Sequence, residues 1–269
     1  MQYANNGSLL SYLHKNINKL TWEDKLRHLR NIAQYLLVIH NEGLVHCDLH
    51  SGNIVVHDTT SGLNSRLRDV MFIGGSKHII TEEITSMIRI FICDLGLSRS
   101  VNSHESNSDI RGVLPFIAPE VFHTYTFTQK SDVYSFGIIM YLIATGEPPF
   151  RDREFDRSLV CDIMGGLRPS MPDSAPEKYK KLTERCWDAD PDKRPDAKTL
   201  LGDTDKIINN VYKDNRDMWD AIYHNNVKPL SRLEKESKYS SKLLPTGDNL
   251  DSAAGMKTSS RLKLHQSQY

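Results

Sequence analysis

Asp48 and Asn53 stand in the run Val45-His46-Cys47-Asp48-Leu49-His50-Ser51-Gly52-Asn53, which passes directly into the apolar stretch Ile54-Val55-Val56. A second apolar run, Ile90-Phe91-Ile92-Cys93, ends in Asp94-Leu95-Gly96. Two carboxylates and one amide oxygen in one place suit Mg²⁺, a hard ion that takes oxygen ligands and usually shares them with phosphate. One carboxylate can be left over to accept the proton of an attacking hydroxyl. The chemistry suggested is metal-assisted transfer of a phosphoryl group to an alcohol.

These side chains need elements to bring them together. Each apolar run is short enough for a strand, and two such strands pair as a hairpin with Asp48, Asn53 and Asp94 at one end. Thr21-Trp22-Glu23-Asp24 reads as a capping box that opens a helix. Its stripe of Leu26, Leu29, Ala33, Leu36, Leu37 and His40 has helical spacing, and Gly43 follows as a stop. That helix delivers the chain to Asp48. Ser8 is a candidate cap for a short helix over Leu9, Leu10 and Leu13. The stretch from Ser131 through Ile143 is apolar nearly all round, the pattern of a buried helix. Further helices are expected over Phe155–Met164, Glu177–Trp187 and Ala197 to about Tyr212. The fold class expected is α+β.

Composition excludes several functions. Among 269 residues, 34 Lys and Arg balance 34 Asp and Glu. There is no basic excess to favour nucleic acid. The four cysteines are far apart and lack C-x-x-C spacing, so neither a zinc site nor a disulfide framework is indicated. No stretch reaches the ~18 apolar residues of a membrane span. The N-terminus lacks the basic start and apolar core of a signal peptide. The expectation is a soluble cytoplasmic protein that contacts neither nucleic acid nor membrane.

The H-x-D-x-x-x-x-N string at His46–Asn53 resembles a protein-kinase catalytic loop, and Asp94-Leu95-Gly96 resembles the Asp-Phe-Gly metal motif. Aminoglycoside and choline kinases carry similar loops. The later motifs favour a protein kinase: Ala118-Pro119-Glu120, Ser131-Asp132-Val133-Tyr134-Ser135-Phe136-Gly137, and the segment from Cys186-Trp187 to Arg194-Pro195. The style is that of the tyrosine-kinase-like group, and of fungal kinases with an HxDLHSGN loop. By this resemblance Asp48 would orient the acceptor hydroxyl, while Asn53 and Asp94 would hold Mg²⁺. Tyr3 and Ala4 would pair with adenine, and Val55 and His50 would line the ATP site. His46, Leu95 and Gly96 would pack beneath it. Asp132 would tie the catalytic loop to the buried helix, and Arg194 would pair with Glu120.

The fold implied is the mostly helical large lobe of a kinase with a small β-hairpin. The domain would span 1–212, with an insertion at about 58–87 and a flexible tail over 213–269. No G-x-G-x-x-G or V-A-I-K string precedes the loop, so the N-terminal β-lobe is expected to be absent and activity impaired. Cys47 replaces the usual Arg, which would normally hold a phosphorylated activation loop. His50 stands where Ser/Thr kinases usually carry Lys, and Leu95 replaces Phe. The acceptor signals are divided: Pro115-Phe116 lacks the Trp of many tyrosine kinases, and Val113 replaces the Thr of Ser/Thr kinases. The leading expectation is a Ser/Thr kinase acting on protein substrates, with Tyr as a further acceptor. The alternative is a pseudokinase scaffold.

Overall fold

The computed structural model describes residues 6–58, 69–73, 76–80, 88–101, 110–213 and 242–243. Tyr3 and Ala4 lie outside the described residues, as does nearly all of the expected tail.

Helix α1 (Leu9–Asn16) starts at Ser8, whose hydroxyl accepts the Ser11 N–H. Helix α2 (Trp22–Asn41) starts at a reciprocal capping box between Thr21 and Asp24. Leu26, Leu29, Ala33 and Leu36 on its inner face are fully buried. Gly43 adopts φ 68°, where a left-handed turn releases the chain into β1 (Leu44–Val45). The run His46–Asn53 follows, and then β2 (Ile54–Asp58).

Two strands lie in the long connection after β2. They are β3 (Asp69–Ile73) and β4 (Ser76–Ile80), paired antiparallel with each other. The chain then enters β5 (Ile88–Ile92), which pairs antiparallel with β2 in the register Ile54↔Ile92, Val55↔Phe91 and Val56↔Ile90. This is the expected hairpin, and it sets Asn53 and Cys93 at the same end. Strand β6 (Arg99–Ser100) returns to pair with β1. Strand β7 (Arg111–Gly112) leads to the one-turn helix Leu114–Phe116.

Helix α3 (Val121–Thr124) is a single turn, and α4 (Gln129–Thr145) is the central post. It starts two residues earlier than the Ser131 expected from sequence. Thr128 is its N-cap, and Ser131 answers it in a second capping box. Asp132 is therefore not a cap, and its carboxylate is available to the run that starts at His46. Every residue from Ser131 to Met140 is buried. Gly137 lets α6 pack close: a Cβ there would meet Cys186 Cβ at 2.9 Å. Gly146 ends α4 in the left-handed region, before Pro148. Its φ of +70° brings it so near Ile17 that a Cβ would lie 2.6 Å from Cγ1.

Helices α5 (Arg157–Met164), α6 (Glu177–Cys186) and α7 (Ala197–Lys213) complete the body, each within two residues of its expected ends. Helix α2 packs against α7, β5 and α4. Lys25 of α2 is wholly buried, and its Nζ donates to the Ala144 carbonyl at 2.7 Å. Burial holds its ammonium well below the usual lysine range. Strand β8 (Lys242–Leu243) pairs antiparallel with β7. Among the described residues, no helix is long and apolar enough to cross a membrane.

Candidate active site

The run His46–Asn53 is held mainly through its backbone. Asp132 Oδ2 accepts the His46 N–H at 2.8 Å, and Oδ1 accepts the Cys47 N–H at 3.1 Å. His40 Nε2 lies 2.9 Å from Asp132 Oδ2. His46, Cys47 and Asp132 are buried, and the His40 side chain is 6% exposed. Cys47 sits at φ 68°, in the left-handed region, which turns the chain so that Asp48 faces the site. From the sequence His40 reads as one more core position, yet its ring reaches a carboxylate far along the chain.

His46 locks the next link. The Asp48 N–H donates to His46 Nδ1 at 3.3 Å. The ring hydrogen of a neutral imidazole therefore sits on Nε2, which faces the Cys93 carbonyl at 3.3 Å. This bond ties the residue before Asp48 to the residue before Asp94. A second tie runs from the Cys93 N–H to the Asn53 carbonyl at 2.8 Å. Asp94 adopts φ 60°, and its Oδ1 accepts the Gly96 N–H at 3.2 Å. Leu95 packs on the edge of the core.

Asn53 donates from Nδ2 to both the carbonyl of Asp48 (2.9 Å) and its Oδ2 (3.0 Å). With the amide nitrogen so engaged, Asn53 Oδ1 is the atom left to accept a hydrogen bond or ligate a cation. Asp94 keeps Oδ2 beyond its turn bond. Two oxygen donors of this kind fit Mg²⁺, which commonly takes one or two protein oxygens and fills the remaining positions with water and phosphate. His50 Nδ1 accepts the Gly52 N–H at 3.0 Å, so its Nε2 faces Asp48 Oδ2, at 3.6 Å. Val55 is half-buried on β2. Asn6–Ser8 runs beside that strand, through Asn6 N–H to Val56 O, Val56 N–H to Gly7 O, and a bridge from Ser8 to Val55.

Below the site, Arg194 donates both terminal nitrogens to Glu120, each at 2.7 Å. It also donates to the Asp188 and Lys130 carbonyls, and its side chain is fully buried. Its guanidinium lies 5.3 Å from the Tyr134 ring centroid, and that of Arg168 lies 5.0 Å away. Ser135 of α4 donates to the Phe116 carbonyl at 2.6 Å, pinning the segment after β7. Sequence reasoning singled out neither Ser135 nor Gln129, which donates to the His40 and Leu44 carbonyls. Their partners are main-chain groups remote in sequence.

Residues 1–203 match the family model for protein tyrosine and serine/threonine kinases. The chain belongs to that family. The protein kinase fold accounts for a mostly helical body carrying small sheets. Three relatives from Dictyostelium discoideum illustrate the likeness. The probable serine/threonine-protein kinase roco8 is 31% identical over 78% of this chain and 10% of its own length. The dual specificity protein kinase shkC is 30% identical over 75% of this chain and 36% of its own. The RGS domain-containing serine/threonine-protein kinase A is 27% identical over 77% of this chain and 16% of its own. The chain spans a minor part of each of these relatives. As a member of this kinase family, it carries a domain type that generally uses ATP and Mg²⁺.

Proposed function

We propose that this kinase domain transfers the terminal phosphoryl group of ATP to Ser and Thr hydroxyls of protein substrates in the cytoplasm. The observation that carries the reading is the bonding of Asn53 to Asp48 at the mouth of the hairpin. It fixes the Asp48 carboxylate in one orientation and leaves the Asn53 oxygen to ligate a cation. In this reading Asp48 accepts the hydrogen bond of the acceptor hydroxyl and takes its proton as the new P–O bond forms. Asn53 and Asp94 hold Mg²⁺, which neutralises charge on the phosphate oxygens when bound. His50, next to Asp48, faces the same phosphates. In this reading Val55 lines the nucleotide site, and Tyr3 and Ala4 are the residues that the family resemblance assigns to adenine. The serine/threonine and dual-specificity names of the relatives support the choice of acceptor.

Cys47 cannot supply the charge-assisted bonds that would hold a phosphorylated loop. Burial and the nearby Asp132 push its thiol up to about 12. Activity is therefore independent of activation-loop phosphorylation.

The test is single-turnover transfer of labelled phosphate to Ser-, Thr- and Tyr-containing peptides, with Mg-ATP binding followed by thermal shift. Asp48→Asn should abolish transfer and spare the shift, while Asp94→Ala should remove both. Equal transfer by the native protein and Asp48→Asn would refute the assignment. No shift at millimolar Mg-ATP would favour a scaffold that binds partners without catalysis.

A further inference from the structure

The His50 ring is held on several sides. Its Nδ1 accepts the Gly52 N–H at 3.0 Å. Its centroid lies 6.1 Å from that of the Phe116 ring, at an interplanar angle of 57°, within the range of aromatic contact. The Phe116 carbonyl is fixed in turn by Ser135 of α4. The His50 carbonyl accepts the Asn53 N–H at 3.0 Å, which closes the turn that carries the ring. The side chain is 4% exposed. Imidazole is planar and rigid, so fixing Nδ1 and the ring plane also fixes Nε2. That nitrogen faces Asp48 Oδ2 at 3.6 Å.

Because Nδ1 accepts, the hydrogen of the neutral ring sits on Nε2. The atom that faces the carboxylate is therefore a donor, with no charge required on the ring. Asn53 Nδ2 donates to the same Oδ2 at 3.0 Å. One donor lets a carboxylate swing about its Cβ–Cγ bond, and a second narrows the swing. On the other side, the Gly112 main chain passes so near that a Cβ there would lie 3.5 Å from Oδ1. The Nε2 contact is longer than a full hydrogen bond. Bonds among catalytic groups tighten when the reacting group arrives.

We infer that His50 is a positioning residue for Asp48: its Nε2–H donates to Oδ2 and holds the carboxylate plane while the acceptor hydroxyl is engaged. This rests on the proposed phosphotransfer, since Asp48 has an acceptor only if that reading holds. The lysine that Ser/Thr kinases usually carry at this position is a point charge on a flexible stem. The pinned ring acts through direction, and the role needs no proton moved to or from it.

Two variants separate the work of the two ring nitrogens. Gln brings an amide donor near the place of Nε2 and has no acceptor for Gly52. Asn brings its oxygen near the place of Nδ1 and stops short of Asp48. Gly52 is exposed, so water can satisfy its amide. In transfer assays on the full chain, His50→Gln should keep a kcat at least about tenfold above that of His50→Asn, with the same KM for ATP in both. Equal or higher kcat for His50→Asn would show that the ring serves only the turn, and would overturn positioning while phosphotransfer stands. A difference confined to KM for ATP would assign His50 to the phosphates alone, with the same consequence. Nitrogen NMR on protein with isotope-labelled histidine decides the case where a variant does not fold. The His50 hydrogen should sit on Nε2, and that resonance should move in Asp48→Asn. A hydrogen on Nδ1, or no response to Asp48→Asn, would overturn the inference. No transfer by the native protein, with the ring as expected, would overturn phosphotransfer and the positioning role with it.

Discussion

Asp132→Ala probes the arrangement on which the site depends. Asp132 is 1% exposed, and its side chain accepts from two buried amides, His46 N–H and Cys47 N–H, while pairing with the His40 ring. Removing it leaves two amide donors without an acceptor, each costing about 1–3 kcal/mol. It also releases the restraint that keeps Cys47 in the left-handed region, a conformation that itself costs about 1–3 kcal/mol. Part of the loss is recovered as the run relaxes. The net expectation is about 3–4 kcal/mol of stability. With a urea slope of about 2–3 kcal/mol/M, the unfolding midpoint falls by roughly 1–2 M. The buried Trp22 and Trp187 provide the fluorescence readout. Because the relaxation displaces Asp48, transfer should fall further than the population of unfolded chain accounts for. His40→Ala loses only the ring contact and should cost about 1–2 kcal/mol. A midpoint for Asp132→Ala within about 0.3 M of native, or native turnover, would show that the loop holds its shape without the clamp.

Other outcomes follow from buried groups elsewhere. His28 is buried edge-on to Tyr12, and burial lowers its pKa from 6.5 to about 4. The unfolded chain therefore binds a proton that the folded chain refuses between those values. Stability is fully present above about pH 6.5 and declines toward pH 4, by up to about 3 kcal/mol. Melting curves for His28→Leu should be flatter over that range, and curves parallel to native would refute the assignment. Arg194→Lys replaces a two-pronged bond to Glu120 with a single contact inside the core. It should cost about 3 kcal/mol in urea unfolding, and a neutral result would mean that the pair is dispensable. Maleimide labelling at neutral pH should modify Cys161 first and reach Cys47 and Cys186 only on unfolding, because burial pushes both of those thiols up. Peptide mapping that finds Cys47 modified early would contradict its burial.

What could be read from sequence divides by the range of the forces involved. The start of α2 was legible because Thr21 and Asp24 satisfy each other's amides within a single turn. The start of α4 was two residues off because Thr128, Ser131 and Asp132 are all competent caps, and only tertiary structure sends Asp132 elsewhere. The apolar run Val70–Ile73 was visible, but its partner Ser76–Ile80 was not, since strand pairing is settled between segments. The pairing of Arg111–Gly112 with Lys242–Leu243 has no hydrophobic pattern to announce it. Glu120 and Arg194 could be matched through the family resemblance, whereas the bonds from His40 and Ser135 required coordinates. Tyr3 and Ala4 lie beyond the described residues.

The Asp132 clamp grips peptide nitrogens and ignores the group attached to the α-carbon. Position 47 is held through its main chain, while its buried thiol faces the Val45 carbonyl at 3.5 Å. A small unbranched side chain fits that space, whereas a β-branched one would clash with the left-handed backbone. A long charged side chain there would have to leave the body or bury its charge, so the clamp keeps the loop in one shape only while residue 47 stays small and neutral.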